Sequence, residues 1–287
     1  MTEAMLHAIA SHPRFADAAR MLAAGTLEDT ARDRALFAVC KDSGRYIAAM
    51  MAIHLHFDGG LTLPRLKDWC VRTGYLSAGR SRALLQYLRY LGYVEAAPRA
   101  QRNAAAHYVP TPAFLNAWRG HFEHPLAAAA AIEPAVQRVR ENLAAPRVFE
   151  SICRAQGEGW IEPTRATAAD DPVGRLLHAL AGPQILALLV ASGTDDAFPP
   201  RCAAPVSIAG MARRFAVSRP HVQRVFDAAT RGGLIGVAPD GTLLFSERMR
   251  AAVTFVYAMQ LAQLLAGAAR AAEHLPQPAR LRAVVSA

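Results

Sequence analysis

The chain has 287 residues, 53% of them hydrophobic, which is enough for two ordinary domains with a buried interior and excludes a disordered or fibrous protein. Its formal net charge is +9, and only Lys41 and Lys67 among its 32 basic residues are lysines. Arginine's forked donors suit phosphates and base edges, so a polyanionic partner is expected; a GC-rich coding sequence explains an arginine bias equally well, though not the excess charge.

Cys40, Cys70, Cys153 and Cys202 stand far apart with no CxxC pair, which argues against a disulfide framework or a zinc knuckle and makes a reducing cytoplasm the expected compartment. The opening MTEAMLHAIASHPRF lacks the basic-then-apolar order of a signal peptide. The most apolar run, Leu176 to Ser192, is interrupted by His178 and Gly182-Pro183 and is too short to span a bilayer, so no membrane partner is expected.

Apolar residues recur at helical spacing almost throughout, which predicts a mainly α protein with a few small hairpins. Residues 1–30 read as one or two short helices. Ser43 is the expected cap of the next, whose apolar face runs from Tyr46 to Phe57 and stops at Asp58-Gly-Gly60. Leu61 to Cys70 starts a helix with proline in its first turn, Thr73-Gly74 turns, and Ser77 caps a helix carrying Leu84, Leu85, Leu88 and Leu91. Gly92-Tyr-Val94 then leads into AAPRAQRNAAAHYV, a strand, a basic loop and a returning strand.

The segment 126–172, with its alanine run and VQRVRENL, reads as a helical connector whose flexible joint is Thr167 to Asp171. The order of elements then repeats. Leu176 to Val190 is an apolar helix; Val206 to Phe215 and Ser218 to Phe226 form a helix pair. Pro239-Asp-Gly241 between apolar pairs marks a hairpin, and Arg248 to Ala272 is a long helix. From Ser to Gly the stretches 77–92 and 218–233 have equal length, and the first copy has four more residues ahead of its capping serine, about one helical turn.

In the second copy each residue has a physical duty. Ala212 is small where two helices cross, Val217 plugs the turn, Ser218 caps, and Val222, Val225 and Phe226 bury the inner face. Arg219, Pro220, His221, Gln223 and Arg224 are left pointing outward near a helix N-terminus, where a recognition helix meets the major groove. With its hairpin, this segment resembles a winged helix-turn-helix, and the order of each half resembles MarR-like transcriptional regulators over 36–125 and 173–272.

The resemblance implies two winged helix-turn-helix lobes joined by helices in a pseudo-dimer arrangement: N-terminal helices (1–35), a first winged helix (36–125), a connector (126–172), a second winged helix (173–272) and a tail (273–287). It further implies a bacterial regulator that binds double-stranded DNA in a sequence-specific way. Candidate contacts are Arg213, Arg214, Ser218, Arg219, His221, Gln223 and Arg224 in the second copy, with Ser77, Arg80, Arg82 and Arg89 in the first. Arg99 and Arg102 in the first wing suit a narrow minor groove, whereas the second wing tip carries Asp240. Ser81 stands in the slot of Val222, and Ala78-Gly79 in that of Arg219-Pro220, so the first copy either approaches DNA closely or retains phosphate contact alone.

RNA polymerase and a second copy of the chain are candidate protein partners. The long apolar helices at 43–57, 176–190 and 248–272 either enclose a small-molecule effector, as the resemblance implies, or simply pack a core. Two other readings fit the order of elements: a plasmid-type replication initiator, and a protein-interaction scaffold whose winged helices are silent toward DNA. No nucleophile elbow, phosphate-binding glycine loop or HExxH stands in the sequence, so no enzyme and no cofactor is expected. His54/His56 with Asp58, and His121 with His124, lack a third metal ligand at motif spacing, so no metal site is expected either.

Overall fold

The computed structural model describes residues 2–98, 105–160 and 171–275. Helices α1 (Glu3–Ala10) and α2 (Phe15–Arg32) open the chain. α2 is longer than expected because alanines and leucines recur at helical spacing as far as Leu27 and Thr30, and it packs centrally, on α7 (Pro112–Ile132) and α11 (Gly182–Ala191).

The first repeat runs α3 (Arg34–Val39), α4 (Ser43–Phe57), β1 (Leu61–Thr62), α5 (Leu63–Thr73), α6 (Ala78–Tyr90), β2 (Val94–Ala96), β3 (His107–Pro110) and α7. After α8 (Val136–Glu141) and α9 (Pro146–Gly159), the second runs α10 (Pro172–His178), α11, β4 (Cys202–Ala203), α12 (Ile208–Arg214), α13 (Arg219–Arg231), β5 (Ile235–Val237), β6 (Leu243–Phe245) and α14 (Glu247–Ala272). Both three-stranded sheets are antiparallel with the same topology, β1-β3-β2 and β4-β6-β5. A mainly helical chain with two such sheets is consistent with a winged-helix type of fold.

Local chemistry repeats as well. Ser77 and Ser218 cap helices of 13 residues each by accepting from the backbone N–H three residues on. After each helix a glycine takes the left-handed conformation, Gly92 at φ 69° and Gly233 at φ 67°. The next N–H then folds back onto the helix, Tyr93 to the Leu88 carbonyl and Leu234 to that of Ala229. α5 has 11 residues and α12 has 7, which is the extra turn read from the sequence.

Three expectations change. Asp42, not Ser43, caps α4, accepting from the Arg45 N–H at 2.9 Å; the Ser43 hydroxyl instead donates to the Leu177 carbonyl at 3.0 Å. Leu176 to Val190 is not one helix: α10 and α11 are bent by 108°. Pro183 has no N–H and restricts the residue before it, so it sits best in a first turn, and the chain restarts at Gly182 after Ala181 at φ 59°. α7 runs unbroken past Pro125, so the alanine run is the end of one 21-residue helix. Of the expected joint, residues 167–170 lie outside the described residues, and Asp171 caps α10 and binds Arg248 at 2.6 Å.

The core gathers α4, α7, α9 and α14, with Trp118, Phe114, Phe122 and Phe149 fully buried. Among the described helices α14 is the one long and apolar enough by itself to cross a membrane, but most of that stretch is buried against α1, α7, α8 and α9.

Candidate nucleic-acid interface

The helix pair α12–α13 is held by the apolar set the sequence marks out. Met211, Ala212, Phe215, Val222, Val225, Phe226 and Leu234 are buried, and Ile208 and Val217 are half-buried. Burying this stripe leaves Arg213 and Arg214 exposed at the end of α12, and Ser218, Arg219, Pro220, Gln223 and Arg224 exposed on α13. The Gln223 amide donates to Asp227 at 2.9 Å, and Arg224 Nε donates to the Pro220 carbonyl at 3.3 Å. A glutamine amide has two N–H donors, so Gln223 keeps one donor and its oxygen for a further partner. The Arg214 guanidinium lies over the Phe215 ring, 5.8 Å from its centroid.

His221 does not point outward with these residues. Its ring is half-buried, and Nε2 sits 2.9 Å from the Leu180 carbonyl, because the start of α13 abuts the α10–α11 turn. Its counterpart three residues after Ser77 behaves alike: Arg80, exposed at the backbone side of α6, reaches Asp42 at 3.4 Å beside the start of α4. In each half, this position tethers the helix to the turn that precedes the neighbouring core helix.

On α6, Arg82, Gln86, Arg89 and Tyr90 are exposed, with Tyr90 at 84%. Arg82, Gln86 and Tyr90 follow each other at four-residue intervals along one face. Gln86 and Tyr90 are missing from the sequence-based site, yet stepping along the helix from Arg82 would have found them. Arg89 is placed 5.7 Å over the Tyr108 ring of β3, which turns it toward the wing. Arg82, Arg213 and Arg219 form no ion pair with any described residue. Arg99 and Arg102 lie outside the described residues.

Behind both faces the two halves meet. The Lys41 ammonium donates to the Ala216 carbonyl in the α12–α13 turn at 2.7 Å, and burial and the Arg45 charge together pull that ammonium below its ordinary pKa. The Ala181 N–H donates to the Lys41 carbonyl at 2.6 Å. The His178 ring stacks on Tyr75 of the α5–α6 turn at 6.3 Å. The α3–α4 turn therefore touches the second helix pair, and the end of α10 touches the first.

The paired histidines of α7 converge on α2. Asp29 accepts from His121 at 3.1 Å and His124 at 2.8 Å. Burial alone would raise the Asp29 carboxyl; the bonds from His121 and His124 and the charges of His121 and Arg32 hold it below the usual carboxylate range.

Comparison of the chain with protein-family models, with curated proteins and with solved structures returns no match.

Proposed function

We propose that this chain is a sequence-specific, double-stranded DNA-binding transcriptional regulator whose two halves are winged helix-turn-helix units, 36–125 and 173–272, arranged as a pseudo-dimer. The observation that carries the reading is the pair of serine-capped helices of equal length, α6 and α13, each buried on one side and arginine-rich on the other, each followed by a two-stranded hairpin. The reciprocal contacts of Lys41 with the second helix pair and of His178 with the first support the pseudo-dimer, because a near-twofold arrangement puts equivalent turns at its centre.

In this reading Arg213, Arg214 and Arg219 neutralise phosphates and make binding steeply salt-dependent. Gln223 and Arg224 read base edges, Gln223 in the orientation that Asp227 fixes; Arg82 and Gln86 occupy the equivalent face of α6. Arg80 and His221 position the helices instead of touching bases. The protein is not an enzyme in this proposal, and works in the cytoplasm.

The test is to incubate the protein with fragmented genomic DNA near physiological salt and sequence what is retained. A shared discrete site is expected. Against that site, Gln223→Ala should lose about 1–3 kcal/mol of discrimination at one base pair, whereas Arg213→Ala should weaken all sequences alike. Retention of everything, or of nothing, overturns the proposal, and full site preference in Gln223→Ala overturns the base-reading role.

A further inference from the structure

A cavity of about 380 Å³ opens between α2, α4, α7, α9, α11 and α14, within the size range of small-molecule sites. Leu22, Ile47, Phe122, Val256 and Leu264 give it an apolar wall. Its rim carries Asp29, Arg32 and His121, whose charges are spent on each other: Arg32 binds Asp29 at 2.8 Å, and His121 binds it at 3.1 Å. An anionic ligand would find no free cation there, and a cationic one only Asp33, whose carboxylate is already engaged in capping α3 at the Leu36 N–H at 2.8 Å, so the desolvation of a charged ligand would oppose entry.

Three polar side chains in the same wall are more than nine-tenths buried, and each has one polar atom without a hydrogen-bond partner. These are the Gln156 Nε2 and Trp160 Nε1 donors and the Gln184 Oε1 acceptor, on residues that are 5%, 7% and 6% exposed. Buried polar groups nearly always find partners, so three unpaired ones around one cavity need a reason. We infer that the cavity is a binding site for an uncharged, mostly apolar ring compound. Its carbonyl or hydroxyl oxygen accepts from Gln156 and Trp160, and its hydroxyl or amine hydrogen is donated to Gln184. Small turns of these side chains present the three groups to the ligand. The site draws on both halves of the chain, Ile47 from one and Gln184 from the other, so each chain holds one. It does not depend on the DNA-binding reading.

The probe is 2-naphthol, a neutral two-ring phenol whose hydroxyl both donates and accepts, titrated into the full chain without DNA and followed by tryptophan fluorescence and calorimetry. Saturable binding of one equivalent is expected, with a melting temperature that rises with probe concentration. Gln156→Leu replaces an unpaired donor with an apolar group of similar size and should fold as stably as the parent, whereas Gln184→Leu also gives up the 3.4 Å bond to the Cys40 carbonyl and should melt slightly lower; each should lose about fivefold or more in affinity. Ala117→Leu, which fills the cavity from α7, should abolish binding in a folded protein. Absence of saturable binding to the parent chain overturns the inference, as does binding that all three variants retain unchanged. If 2-naphthol binds as expected and no DNA is retained, the cavity site stands and the regulator proposal falls.

Discussion

Asp42 is where a capping interaction and a tether to α6 meet in one side chain, and separating them gives a quantitative test. Its carboxylate is 1% exposed; one oxygen caps α4 at the Arg45 N–H, the other accepts from Arg80 at 3.4 Å. Asp42→Ala removes the cap, about 1 kcal/mol, and the favourable charge at the start of a helix, about 0.5–1 kcal/mol. The Arg80 side chain is 55% exposed, so the lost pair adds well under about 1 kcal/mol. The total is about 2 kcal/mol, a fall of roughly 4–8 °C in melting temperature for a domain of this size class. Asp42→Asn keeps an oxygen for the cap and should cost about half as much or less; Arg80→Ala should stay within about 0.5 kcal/mol. Thermal and urea unfolding of the three variants give the ranking. If Arg80→Ala destabilises as much as Asp42→Ala, the bridge and not the cap holds this corner, and the reasoning fails.

Burial holds His54 and His56 below the ordinary histidine pKa, against the opposing charges of Asp58 and Glu150 respectively. The unfolded chain therefore takes up protons first on acidification, so stability falls as pH drops from about 7.5 through 6.5; the melting temperature should follow, and a His54→Gln/His56→Gln variant with an undiminished slope would rule these groups out. Ala216, at φ 48°, carries a Cβ in the left-handed region at a cost of about 1–2 kcal/mol. Ala216→Gly relieves this while adding about 0.4–1 kcal/mol of unfolded-state entropy, so it should stabilise by about 0.5–1 kcal/mol in urea unfolding, and a loss of stability would contradict the assigned strain.

The helix pairs and two of the three expected serine caps were legible because periodicity and capping are local: Ser77, Thr73-Gly74, Ser218 and Pro239-Asp-Gly241 fall where sequence chemistry puts them, whereas Ser43 lost its place to Asp42, one residue earlier. The strands β1 and β4 were not, since two residues carry no alternation and exist only by pairing with β3 and β6. The inward turn of His221 was equally hidden. A helical wheel places it on the outer face, and only the tertiary approach of Leu180 supplies its partner. Asp227 was missed as well: its effect on Gln223 follows from i,i+4 spacing, so the signal was present but unused.

The two halves share a backbone plan but not a chemistry, and this bears on what the proposed pseudo-dimer would read. Aligned at their serine caps, Arg82 stands where Gln223 does, Gln86 where Asp227 does and Tyr90 where Arg231 does. An arginine suits the acceptor pair of guanine, while a glutamine suits adenine. Two identical subunits would read two identical half-sites; one chain with these two faces is freed from that symmetry. The site retained from genomic DNA should therefore have unequal halves, with Gln223→Ala changing preference in one half and Arg82→Ala in the other. A perfect palindrome, weakened equally in both halves by Gln223→Ala, would mean that two copies of α13 from two chains read it, and that α6 contributes no base contact.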